Sequence, residues 1–209
     1  MRSPKQVFLG NLSTSEKEIK DLLKAWTAIS VAFAIALSGS FFSAGFYKGF
    51  VVASLTVGVG FLLHETGHKI LAQKYGCFAE FRSFDNMLIL AIVMSFFGVV
   101  FAAPGAVMIS GYVSKSKSGK ISAAGPLVNI GLALGFLALI FLELPPIFQA
   151  IGYYGFIINS MLALFNMIPF WLFDGYKILQ WSKLAYSGIV AAALALVIVR
   201  FFIPVLNYK

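Results

Sequence analysis

GFVVASLTVGVGFLLHETGHKILA, residues 49–72, is an apolar run that carries His64, Glu65 and His68 close to its end. As a helix rising 1.5 Å per residue it would extend about 36 Å. That exceeds the hydrocarbon core of a bilayer, about 30 Å. On such a helix His64 and His68 project from one face. Two neutral imidazoles at that spacing can share a Zn²⁺ at about 2.0–2.1 Å, and Glu65 beside the first can serve as general base toward water. These are the chain's only two histidines. An ionisable group inside a membrane costs about 2.5–3.5 kcal/mol on insertion scales, so the trio needs partners or a task. The plain alternative is a pair of packing histidines hydrogen-bonded across a helix bundle.

The composition agrees with the membrane reading. Of 209 residues, 60% are hydrophobic and 11% charged, against about 25% charged in soluble domains. An all-α polytopic membrane protein follows, with about six hydrophobic segments in a transmembrane helix bundle. The single Cys77 excludes an internal disulfide framework and a multi-cysteine zinc site. The net charge of +8 comes from Lys and Arg scattered at segment ends. That distribution suits anionic lipid head groups and topology signals, so the bilayer is the expected partner and nucleic acid is not. The oligomeric state stays open.

Residues 1–24 read as an amphipathic interfacial segment, with a turn around Gly10-Asn11 and no cleavable signal peptide. Ser13 with Glu16, or Ser15 with Glu18, offers a capping box; Glu16, Glu18 and Asp21 are expected in water. Residues 25–209 form the transmembrane domain. Its segments are Ala25–Phe46, Gly49–Ala72, Met87–Ala103, Ile121–Leu142, Ile147–Ile168 and about Leu184–Ile203, with Tyr75–Asp85 as a polar connector. Met87–Ala103 either crosses the membrane or rises as half of a re-entrant hairpin that returns, extended, through Gly105–Tyr112. A backbone edge at membrane depth is tolerated only where protein buries it or it lines a cavity. The edge at Gly105, Ala106 and Val107 could then clamp a substrate strand by β-augmentation.

A catalytic zinc takes three protein ligands and keeps a position for water. Asp174 is the leading third candidate. It follows the break at Asn166-Met167-Ile168-Pro169, precedes Gly175, and falls by topology at the depth of the histidines. Its plain alternative is a helix cap, and Glu80 and Asp85 are weaker rivals. Pro126 is placed in the first turn of Ile121–Leu142, where proline is tolerated. Asn129 in that segment needs a partner, either a neighbouring helix or a substrate. Lys69, Lys74 and Arg82 predict that the metal lies toward the cytoplasmic face of a multi-pass cell-membrane protein.

His64-Glu65-Thr66-Gly67-His68, Ala124-Gly125-Pro126-Leu127-Val128-Asn129, and Asn166-Met167-Ile168-Pro169 with Asp174-Gly175 together resemble the signatures of the site-2 protease family of intramembrane zinc metalloproteases. The resemblance covers about residues 49–180, a catalytic core. It implies zinc on His64, His68 and Asp174, Glu65 as catalytic base, and Asn166 near the substrate backbone or oxyanion. Gly105–Tyr112 would correspond to the family's membrane-inserted β element. No PDZ or CBS segment, which members often carry, is evident. The expected function is hydrolysis of peptide bonds within or near transmembrane segments of membrane-protein substrates, in regulated intramembrane proteolysis. A membrane metal-ion transporter or sensor is the alternative, but it leaves Glu65 without a task.

Overall fold

Ser15 opens the first long helix. In the computed structural model, which describes residues 6–9, 12–100 and 103–203, its backbone is extended and its Oγ accepts the Glu18 N–H at 3.2 Å, capping α1 (Glu16–Ser38). Of the two candidate caps, Ser15 with Glu18 is therefore the one used. Before it, β1 (Gln6–Leu9) pairs antiparallel with β2 (Leu12–Ser15); the expected Gly10-Asn11 turn lies outside the described residues. α1 runs through residue 24 without a break, so the amphipathic segment and the first apolar stretch share one helix. It stops well short of Phe46. Gly39, in the left-handed region at φ 76°, donates its N–H to the Ile35 carbonyl at 2.8 Å and ends the helix. One expectation is corrected here: Glu18 and Asp21 are buried, because their face of α1 is covered by protein, and only Glu16 meets solvent.

The quoted segment lies in a single 29-residue rod, Phe46–Lys74. It comprises α2 (Phe46–Ala53), a π-helical stretch at Ser54–Gly58, and α3 (Val59–Lys74). The π stretch shifts the helix register just ahead of His64. α1 braces it: the Trp26 indole N–H donates to the Ser54 carbonyl at 3.1 Å. Gly58 permits that approach, since a Cβ there would stand 2.6 Å from Trp26 Nε1.

The stretch read as a polar connector contains β3 (Phe78–Ser83). Ala79 and Phe81 share one face of the strand and Glu80 takes the other, and all three are buried. α4 (Asp85–Ser95) has 11 residues, a rise of about 16 Å, too short for a crossing. The chain then turns at Gly98 and returns as β4 (Gly105–Ser110), antiparallel to β3 from Ser83↔Gly105 to Phe78↔Ser110. The chain thus doubles back from α4 to β4 in place of a plain span, with a shorter helical arm than Met87–Ala103.

Residues 6–112 belong to one compact unit and residues 113–203 to a second. In the second, α5 (Lys115–Ile140) starts at the Ser114 cap, whose Oγ accepts the Lys117 N–H at 3.3 Å. Pro126, expected in a first turn, consequently sits inside the helix and removes one ladder bond. α6 (Pro146–Asn166) begins with proline at a position that needs no N–H. α7 (Asp174–Trp181) and α8 (Lys183–Val199) follow. Ala133, Tyr153, Phe156, Leu196 and Ile203 form one core cluster; Ala123, Met167, Ile178 and Ile189 form another. Among the described residues, five helices are long and apolar enough to cross a membrane: Glu16–Ser38, Phe46–Lys74, Lys115–Ile140, Pro146–Asn166 and Lys183–Phe202. Asp85–Ser95 is a shorter apolar helix.

Close packing in the second unit depends on Gly155, where a Cβ would lie 2.4 Å from the Phe136 ring. Gly155→Ala is expected to destabilise the fold by about 1–3 kcal/mol through overpacking. Gly135→Ala, where the added carbon meets nothing within 4 Å, should be neutral or stabilising. Thermal unfolding in detergent compares the two.

Candidate metal centre

α3 places His64 and His68 on its buried face, 6% and 8% exposed. Their Nε2 atoms are 3.0 Å apart, and the rings stand at 85° with centroids 4.6 Å apart. Two bonds of about 2.0–2.1 Å at the tetrahedral angle separate their nitrogens by about 3.3 Å. The imidazoles thus converge on one point at nearly the spacing a shared ion requires. Without an ion, the same distance serves a hydrogen bond when one ring carries the Nε2 proton.

Glu65 is 9% exposed and lines a cavity of about 230 Å³ together with Phe81 of β3 and Val107 of β4. Of the three strand residues proposed to hold substrate, Val107 alone lines this cavity; Gly105 and Ala106 are half-buried beside it on β4. Gly105 is obligatory at that end of the strand, because a Cβ would come within 2.3 Å of the Arg82 carbonyl oxygen.

Two residues that sequence reasoning missed pin this helix. Glu18, wholly buried, accepts from Lys69 Nζ at 2.6 Å, Thr14 Oγ1 at 2.8 Å and the Phe81 N–H at 2.9 Å. Gln73 donates Nε2 to the Ser13 carbonyl, Ser13 Oγ and the Ala79 carbonyl, and its Oε1 accepts the Ser13 N–H. A signal was present: Lys69 sits in an apolar rod, where an ammonium demands an acceptor. The sequence did not say which carboxylate would supply it.

Asp174 is the first residue of α7 and half-buried; a carboxylate there is favoured by the helix dipole. Gly175 lets that turn press against the end of α6, where a Cβ would lie 2.3 Å from the Met167 carbonyl oxygen. Tyr186 holds the same oxygen, donating its O–H at 3.0 Å. Asn166, half-buried, donates Nδ2 to the Leu162 carbonyl of its own helix at 2.9 Å. Asn129 is wholly buried and donates to Asn159 Oδ1 at 2.9 Å, a bond between α5 and α6. The rival carboxylates are engaged elsewhere. Glu80 is buried and paired with Arg82. At exposed Asp85, the Lys24 ammonium and then the Ser83 hydroxyl hold the carboxyl below its usual range. His64, His68 and Asp174 each offer one donor atom that a metal ion accepts, an imidazole nitrogen or a carboxylate oxygen.

Over 176 residues the chain is 40% identical to a Methanocaldococcus jannaschii protein named "putative zinc metalloprotease", a match covering 83% of this chain and 88% of the relative. The chain belongs to that metalloprotease family. No family model and no solved structure matches it. Two imidazoles and one carboxylate are a donor set that zinc accepts in hydrolases, with a fourth position left open.

In this metalloprotease the Glu18–Lys69 pair joins the motif helix to α1 and β3. Glu18→Ala should cost about 3–5 kcal/mol, because it leaves the half-buried Lys69 ammonium and the buried Phe81 N–H without their acceptor. Thermal unfolding reads the loss, and Lys69→Met combined with Glu18→Ala should recover part of it.

Proposed function

We propose that this chain is an intramembrane zinc metalloendopeptidase of the site-2 protease type. Its substrates are membrane proteins cut within or near their transmembrane segments, in regulated proteolysis. The carrying observation is that Glu65 and two convergent imidazoles sit on a rod long and apolar enough to span a bilayer, with Glu65 opening onto a cavity shared with a sheet strand. The relative's name supports the hydrolase over a transporter or sensor.

His64, His68 and Asp174 are the proposed zinc ligands. When bound, zinc would acidify a water and polarise the scissile carbonyl. Glu65 takes the proton from the attacking water and later returns it to the leaving amine. Its near-complete burial keeps bulk solvent from competing for that proton. A transmembrane helix shields its peptide bonds by internal hydrogen bonding and must unwind locally before cleavage. The outer edge of β4, with Gly105, Ala106 and Val107, is suited to pairing with the unwound segment. Asn166 completes the proposed substrate contacts, whereas Asn129, wholly buried and bonded to Asn159, joins α5 to α6 in place of the substrate contact expected for it. Lys69, Lys74 and Arg82 support a cytoplasmic-facing site.

With purified chain, zinc and a single-span peptide of about 20 apolar residues, Glu65→Gln should retain zinc while cleavage falls by about 10²–10⁴-fold. Undiminished cleavage would remove Glu65 as the base. His64→Ala and Asp174→Ala should each lower zinc stoichiometry by elemental analysis. Full occupancy in either variant removes that residue from the ligand set.

A further inference from the structure

The cavity beside Glu65 has a second wall that catalysis does not use. Besides Glu65, Phe81 and Val107 it is lined by the apolar Leu12 of β2, Ile19 and Leu22 of α1 and Ile70 of α3, while the paired Glu18 and Lys69, with Ser13, Thr14 and Thr66, make up its smaller polar part. Every one of these residues belongs to the first unit. Phe81 and Val107 are direct cross-strand partners, so their side chains share one face of the sheet. That face looks toward α3: the Phe81 ring packs edge-on against Phe61 at 5.6 Å, one helical turn before Glu65.

A strand added outside β4 would lie about 4.8 Å away and continue the same face. Its residue opposite Val107 would point into the cavity, while the residues before and after it would point away. β3 cannot serve this way at Phe81, where Glu18 already takes the N–H. An apolar cavity of about 150 Å³ holds a benzene ring, so about 230 Å³ accommodates one branched aliphatic or aromatic side chain.

We propose that this cavity is a specificity pocket for a single large apolar side chain of the substrate, next to the scissile bond, with its far wall built by the N-terminal β2–α1 segment. The inference rests on the proteolytic reading for its substrate, though not for its geometry. Leu22 and Ile70 are specificity-determining residues. One missing methylene in such a pocket is worth about 10-fold or more in kcat/KM.

The test has two arms on the full chain. In the first, single-span peptides carry Gly, Ala, Leu, Met or Phe at each position around the cleaved bond. Zinc-loaded wild type should favour Leu, Met or Phe over Ala by at least about 10-fold at one position. Leu22→Trp, or Ile70→Trp as a second filling variant, should reverse that preference at the same position only. In the second arm, Glu65→Gln is photolysed with peptides bearing photo-leucine at successive positions, and adducts are mapped by mass spectrometry. Adducts on Leu22 or Ile70 should arise from one position and not from its immediate neighbours.

An unaltered size preference in filling variants that still cleave overturns the pocket. So do adducts absent from every position, or equal from all, the pattern a lipid tail in the cavity would leave. Position-specific adducts without any cleavage by wild type would uphold the pocket and overturn the proteolytic reading. Cleavage with neither size preference nor adducts would do the reverse.

Discussion

Glu18 is withdrawn from water, and a carboxylate so placed must be met by hydrogen-bond donors. Its donors come from three elements: Thr14 in β2, Lys69 in α3 and the Phe81 amide in β3. One side chain therefore fixes where the sheet lies against the helix that carries His64, Glu65 and His68. Gln73 repeats the arrangement one turn farther on, binding Ser13 and Ala79. The N-terminal segment thus acts as a structural brace of the motif helix.

The same constraint orders the sheet. β3 and β4 make a two-stranded pair, and strands normally need both edges satisfied or covered. At Phe81 the edge of β3 is closed by Glu18, whereas β4 has β3 as its one strand neighbour among the described residues. That edge borders the cavity that Glu65 and Val107 line. Gly98 turns the chain in the left-handed region, and Gly105 lets it enter that strand where a Cβ would collide.

In the second unit, polar groups in apolar helices find each other in the same way. Asn129 donates to Asn159, and Asn159 donates onward to the Gly155 carbonyl. Gly155 also allows the Phe136 ring to pack where a side chain would stand. The Asp174-Gly175 pair follows a related logic. The acid occupies the first turn of α7, and the glycine permits that turn to touch the Met167 backbone.

Much of this protein was legible along the chain. Periodicity and length marked the apolar helices, because a spanning helix must satisfy its backbone internally and show a long apolar face to lipid. The histidine spacing placed both imidazoles on one face, a consequence of helical geometry alone. The limits of the hairpin helix, the β3 strand and the interior position of Pro126 were not legible. They depend on where the chain finds a pairing edge or a cap, not on local preference. Least readable were the partners of Lys69 and the burial of Glu18, 51 positions apart in sequence. Which acid meets which base is decided by packing across the fold, since composition specifies that a buried charge needs a partner and only three dimensions select it.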